Sequence, residues 1–318
     1  MAGGNDYLDN LRLGQDPVLT NLAMGYSNGI FIAEKVFPIV KVNDFPTLRV
    51  PEMNRDHLKI IDDYRALYGD AVESKNGGYT YQDISMREYT QQKRIDIQER
   101  IGETWGNLKK ERTFALTESQ LLRVEKDTAD IIQTTGNYVN SNTATLAGTD
   151  QWTHASSDPI VLIWNALEVV RGNCGHRPNL MAMGPTSAWA LQKNAAVVAA
   201  VLGPDAGGIV PLAKIAAYFG FTKGIHVGEG IYDNSEVITD TFDPVDLWSD
   251  NALFIYQPDR ASKYIPAFGY TFAHKQFYPS VRMWAASDGL KDWVQSSRIW
   301  ASKLYNDLCG YLMEDTNI

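Results

Sequence analysis

The residues best spaced for chemistry are Gly25-Tyr26-Ser27-Asn28-Gly29, which fit G-x-S-x-G, the sharp turn that exposes a nucleophilic serine in α/β-hydrolases. That turn needs a buried strand before it and a helix after it. Here Thr20-Asn21-Leu22-Ala23-Met24 is not strand-like, the chain soon meets Pro38, and only 24 residues precede the motif. A glycine-rich bend is the better reading, and a serine hydrolase using Ser27 is retained as an alternative. Gly228-Glu229-Gly230 lacks the third glycine of a dinucleotide fingerprint and opens onto Ile231-Tyr232-Asp233 rather than a helix. The five histidines (57, 154, 176, 226 and 274) show no ligand-like spacing. Asp233, Asp240, Asp243 and Asp246 offer oxygens without the spacing of a calcium loop, so they read as a solvated face. Lys109, Lys110 and Arg112 are nearly balanced by Glu111 and Glu118, which suits a salt-bridged helix face better than a phosphate track. No catalytic, cofactor-binding or metal-binding residue is therefore assigned. No enzyme activity is expected.

Cys174 and Cys309 are too few for a disulfide framework or a four-thiolate zinc site, and two reduced thiols are expected. The N-terminal Met-Ala-Gly-Gly-Asn-Asp-Tyr has no signal-peptide pattern. The longest apolar run, Ala195 to Leu202, is far short of a membrane span, so a soluble protein is expected.

The elements that would carry these residues change character along the chain. Residues 1–51 have short apolar clusters split by Gly25, Gly29, Pro38, Pro46 and Pro51, which predicts an extended arm with one short helix near Pro17–Met24. Such an arm must bury its apolar side chains on something else. Residues 52–94 carry an alternating piece around Tyr79–Tyr89 with neither face strongly apolar, which predicts a projecting hairpin. From Ile95 to Gln133 the period becomes helical, through Ile101, Trp105, Leu108, Phe114, Leu121, Val124, Thr128 and Ile131, with a stop near Thr135-Gly136 where the glycine can adopt a left-handed cap.

Residues 137–157 read as a polar loop. Asp158-Pro159 then marks a helix start, with Ile160, Ile163, Leu167 and Val170 inward and a stop at Gly172. A buried strand at Leu180–Met183, short helices around Trp189 and Leu191 and over Pro211–Phe219, and a strand at Ile225–Val227 complete an α/β unit with its own core over 158–230. The rest reads as strands, at Leu253–Tyr256, Gly269–Phe277, Val294–Lys303 and Gly310–Met313.

Composition bounds the function. The chain has 318 residues, 44% hydrophobic and 21% charged, which is a globular balance. With 29 Lys+Arg against 38 Asp+Glu the net charge is −9, which argues against a dedicated nucleic-acid binder. Eight of the acids, and no base, lie between Glu229 and Asp259, leaving 30 acids against 29 bases elsewhere.

The order of parts and several stretches carry a resemblance. They are Gly25-Tyr26-Ser27-Asn28-Gly29-Ile30-Phe31-Ile32-Ala33-Glu34-Lys35-Val36-Phe37-Pro38, Asn179-Leu180-Met181-Ala182-Met183-Gly184, Val227-Gly228-Glu229-Gly230, Pro266-Ala267-Phe268-Gly269-Tyr270-Thr271-Phe272 and Gly310-Tyr311-Leu312. Together they resemble major capsid proteins of tailed double-stranded DNA bacteriophages. That resemblance implies an α+β chain of the Hong Kong 97-type fold. It would comprise an N-terminal arm (1–51), an extended loop (52–94), a peripheral domain with a spine helix (95–157), an axial domain (158–260) and C-terminal strands returning to the peripheral domain (261–318).

It also implies a virion subunit that forms hexamers and pentamers of an icosahedral shell around double-stranded DNA, without sequence-specific binding and without a membrane. Assembly would take place in the host cytoplasm with a separate scaffolding protein, a portal and, in some relatives, a decoration protein. Lys75-Asn76 lies in the loop, but no pattern there identifies a crosslink, and none is predicted. An encapsulin-like nanocompartment shell and a tail or neck component are the alternatives within and beside this fold.

Overall fold

A computed structural model describes residues 15–26, 28–51, 60, 64–65, 67, 70, 81–102, 105–205, 207–235, 241–262 and 265–317, with the side chains of 100–107 and 140 excepted. The arm begins with α1 (Pro17–Met24), whose N-cap Asp16 accepts the Val18 and Leu19 amides and whose first position is proline. It continues through α2 (Ala33–Val36), β1 (Ile39–Val42) and β2 (Thr47–Pro51). β2 pairs antiparallel with β3 (Tyr81–Ser85), while most of residues 52–80, where the projecting hairpin is expected, lie outside the described residues. The inner face of this pair is more apolar than the sequence suggests, because Leu48, Val50, Ile84 and Met86 are all buried together.

The next segment, β4 (Arg87–Asp96), is not part of that excursion. It pairs along ten residues with β13 (Lys291–Leu304). Ile95, expected to open the helix, lies in this strand, which ends at Asp96. The helix follows in two pieces, α3 (Ile97–Gly102) and α4 (Trp105–Ile132). At about 1.5 Å per residue the 28 residues of α4 run for about 42 Å. It ends in a 3-10 turn over Thr135–Asn137, and Gly136 does not take the left-handed conformation expected of it.

α4 lies across a five-stranded sheet built around β13, which pairs with β4, β11 (Gly269–His274) and β12 (Ser280–Ala285), while β1 extends the sheet from β11 in parallel. The buried stripe of α4 differs from the apolar one read from the sequence. Phe114, Leu121 and Ile131 are only half-buried, whereas Thr113, Leu116, Thr117, Gln120, Val124, Glu125, Thr128, Ala129 and Ile132 are buried. The polar members are satisfied locally or by the sheet. Thr113 and Thr117 donate to carbonyls one turn back, and Gln120 donates to the Ser296 carbonyl at 2.8 Å and accepts from the Ser296 hydroxyl at 2.8 Å and from Arg298 Nε at 3.1 Å.

The second sheet has the order β5 (Thr143–Thr145), β14 (Gly310–Glu314), β10 (Ala252–Ile255), β6 (Leu180–Met183) and β7 (Ile225–Val227). Around it pack α5 (Pro159–Cys174), α6 (Pro185–Lys193), α7 (Ala195–Leu202) and α8 (Leu212–Phe219). α5 starts at the Asp158 cap as predicted but passes Gly172 and stops at Gly175, the residue with positive φ (77°). Two expectations change here. The stretch 137–157 is not a plain loop: it supplies β5 and buries Trp152. Gly310–Glu314, expected to return beside the long helix with β11–β13, lies instead between β5 and β10. The core of 158–230 is therefore shared with the arm residues Ile32, Val36 and Phe37 and with Phe268, Cys309 and Leu312.

Cys174 and Cys309 form a disulfide between the end of α5 and the turn before β14, which corrects the expectation of two thiols. Their separation of 135 residues left no local spacing to read. Their Cα atoms lie 5.2 Å apart, within disulfide reach. Among the described residues no helix is long and apolar enough to cross a membrane.

Candidate assembly surfaces

The arm is held to the body by carboxylates of α4. Tyr26 OH and Asn28 Nδ2 each donate to Glu118 at 2.5 Å. Two helical turns further on, Glu125 accepts the Ile32 amide (2.9 Å) and the Trp248 indole (2.7 Å) on Oε1 and the Ala33 amide (2.7 Å) on Oε2. One buried side chain thus joins arm, long helix and the segment leading to β10. Burial pushes the Glu125 carboxyl above its usual range, against the three hydrogen bonds that pull it down. Sequence reasoning missed Glu125 and gave Glu118 to a salt-bridged face, whereas it serves the arm. The readable signal was their seven-residue spacing beside Leu121 and Val124, which puts two acids along one edge of the buried face.

Aromatic rings stacked on glycines continue the join. A Cβ on Gly269 would fall 2.3 Å from the Phe37 ring, and one on Gly310 would fall 2.3 Å from the Phe268 ring. Phe37 and Phe268 in turn meet edge to face. Arm, first sheet and second sheet are therefore threaded by two glycines that only a hydrogen side chain satisfies, and both belong to stretches that carry the sequence resemblance.

Outside this join several large apolar side chains are exposed. Ile60, Tyr64 and Leu67 are 100%, 84% and 85% exposed. The hairpin of β8 (Ile231–Asp233) and β9 (Pro244–Asp246) exposes Ile231, Phe242 and Val245 beside Asp243 and Asp246. Trp189 on α6 is also exposed.

The residues examined for chemistry are dispersed. Ser27 and His57 lie outside the described residues. The bend around Ser27 follows helix α1, not a strand, so the strand–turn–helix context of a hydrolase is missing. His274 is buried against Phe45 and Phe277, His176 stacks on Tyr256, and His226 sits on β7, where burial and then Lys35 lower its affinity for a proton. Among the described residues no cluster of three His, Cys, Asp or Glu could hold a metal. On the basic stretch Arg112 pairs with Glu99 at 3.1 Å and more loosely with Glu111, while Glu118 serves the arm.

An arm clamped along a long helix and two sheets joined through one core define the Hong Kong 97-type fold. A phage-related protein from Bordetella bronchiseptica shares it, with a TM-score of 0.78 at 18% identity over 96% of this chain and 98% of its own. So does the mature capsid protein of bacteriophage PhiM1, with a TM-score of 0.56 at 11% identity over 91% and 88%. No protein-family model matches the chain. The "Major capsid protein" of Burkholderia phage BcepMu, however, is 30% identical over 315 residues, covering 98% of this chain and 99% of its own. The chain belongs to the major capsid proteins of bacteriophages: it is a structural protein of the virion capsid, not an enzyme.

Proposed function

We propose that the chain forms hexamers and pentamers that close into an icosahedral shell enclosing double-stranded DNA. The observation that carries this is the end-to-end match to a phage major capsid protein. The exposed Ile60, Tyr64 and Leu67 support it, since a neighbouring subunit supplies the cover that the chain itself does not. In this reading residues 1–51 are the arm, 52–94 the extended loop, 95–157 the peripheral part with the spine helix and 158–260 the axial part. Residues 261–318 return to the peripheral part through β11–β13, with β14 (Gly310–Glu314) lying in the other sheet. Assembly takes place in the host cytoplasm on a separate scaffolding protein, with a portal at one vertex and room outside for a decoration protein. Contacts that are each modest suffice, because a closed lattice makes many at once.

The acidic balance suits a container for DNA. A net charge of −9 avoids the counterion release that drives non-specific binding, so packaged DNA is not held on the wall. The test is gradient sedimentation of the expressed protein with negative-stain imaging of the fast fraction. Closed polyhedral particles are expected, and DNA packed inside virions distinguishes a phage capsid from a nanocompartment filled with protein cargo. A subunit that stays monomeric even with its scaffold would overturn the proposal.

A further inference from the structure

The chain has two cysteines, 135 residues apart, and the fold brings both to one place. Cys174 is the last residue of α5, and Cys309 ends the 3-10 turn Asp307–Cys309. That turn belongs to the crossing between the sheets, since β13 ends at Leu304 in the first sheet and β14 begins at Gly310 in the second. The disulfide therefore fastens the crossing to a helix that packs on the second sheet. Hydrogen bonds already hold the same place. The Tyr256 amide donates to the Cys309 carbonyl at 2.9 Å, and Asn142 Nδ2 donates to the Gly310 carbonyl at 2.9 Å and to that of Leu308 at 3.3 Å. Asn173, beside Cys174, donates to Asn142 Oδ1 at 2.6 Å. The crossing is thus positioned with or without the covalent bond. Both cysteines are shielded, Cys174 being 6% and Cys309 0% exposed. With no third thiol in the chain and both sulfurs buried, neither shuffling nor pairing between subunits competes with the Cys174–Cys309 bond.

We infer that Cys174–Cys309 is a redox-controlled clasp: two thiols while subunits assemble, one disulfide once the finished particle has left the cell. The inference rests on the shell reading above, which puts assembly in the host cytoplasm, where thiols are kept reduced, and the virion afterwards in an oxidising medium. The non-covalent contacts let the reduced chain fold, so assembly does not wait for the bond. Closing it takes a small two-electron oxidant, because both cysteines are buried, and a peroxide is of that class. The Cys174 thiolate, on the more accessible of the two residues, attacks one peroxide oxygen. The O–O bond breaks, hydroxide leaves to take up the thiol proton, and Cys174 becomes a sulfenic acid. The Cys309 sulfur then attacks the Cys174 sulfur, forming the S–S bond and releasing water. The two sulfurs give up two electrons in all, and the peroxide takes them. The closed bond ties the crossing to α5 and suppresses the local opening in which the turn leaves the helix.

The test counts thiols before and after release. Cells producing the protein are lysed directly into denaturant with N-ethylmaleimide, and the mass of the chain is measured. Two alkylated cysteines are expected at that moment, and none in purified particles that have been treated with hydrogen peroxide before the same alkylation. Particles should also form in dithiothreitol. Amide exchange over residues 306–310 should become about tenfold slower when the pair closes, and Cys174→Ser should abolish that change. A pair already joined at lysis, thiols that survive peroxide, assembly that fails in dithiothreitol alone, or exchange that ignores the redox state would each overturn the inference and leave the shell reading intact. The labelling needs no variant, so a Cys174→Ser chain that does not fold leaves the decision to the wild type. Protein that forms no particles under any redox condition would overturn the shell reading and the inference with it.

Discussion

Replacing Glu125 by alanine tests whether one buried carboxylate holds the arm to the body. The substitution strands three donors, the Ile32 and Ala33 amides and the Trp248 indole, in surroundings where all three residues are buried. Each orphaned donor costs about 1–3 kcal/mol. Removing a desolvated charge returns roughly the equivalent of one of them. The net loss is about 3 kcal/mol, which in local opening is on the order of a hundredfold. Amide hydrogen exchange of the unassembled subunit reads this directly. Ile32 and Ala33 should exchange about a hundredfold faster in Glu125→Ala, while β13 keeps its protection. Exchange at Ile32 and Ala33 within about threefold of wild type would refute the reasoning, since three unsatisfied buried donors leave no room for so small a change.

Reduction of Cys174–Cys309 should cost about 3–5 kcal/mol from the entropy of a 135-residue separation, seen as a lower urea midpoint in dithiothreitol, and an unchanged midpoint would contradict the disulfide. Gly310→Ala places a methyl 2.3 Å from the Phe268 ring and should destabilise by about 3 kcal/mol in thermal unfolding, because Phe268 is itself fully packed. His226 is held neutral by burial. Its affinity for a proton is lower folded than unfolded, so its contribution is present above the unfolded value near 6.5 and is lost as pH falls through that value toward the lower folded one. His226→Gln should flatten the stability–pH curve over that window, and an unaltered curve would show that another group titrates there.

Local signals carried much of this fold. Asp16-Pro17 and Asp158-Pro159 each announce a helix start by a cap and a pre-set φ, and both helices begin there. The short apolar runs at Leu180 and Leu253 became adjacent buried strands. What stayed hidden depends on partners distant in sequence. Thr113, Thr117, Gln120 and Glu125 fall outside the apolar stripe of α4, yet they are buried, the threonines bonded to carbonyls one turn back, Gln120 to the sheet and Glu125 to the arm backbone and Trp248. β4 was grouped with the hairpin because its alternation is polar on both faces, and its partner lies some two hundred residues away in β13.

The central claim is best tested by cryo-electron microscopy of the sedimenting particles, counting the copies around each ring. The account predicts closed shells with six-fold and five-fold rings of this one chain. Particles with a single ring symmetry, open tubes or rings of another count would contradict it.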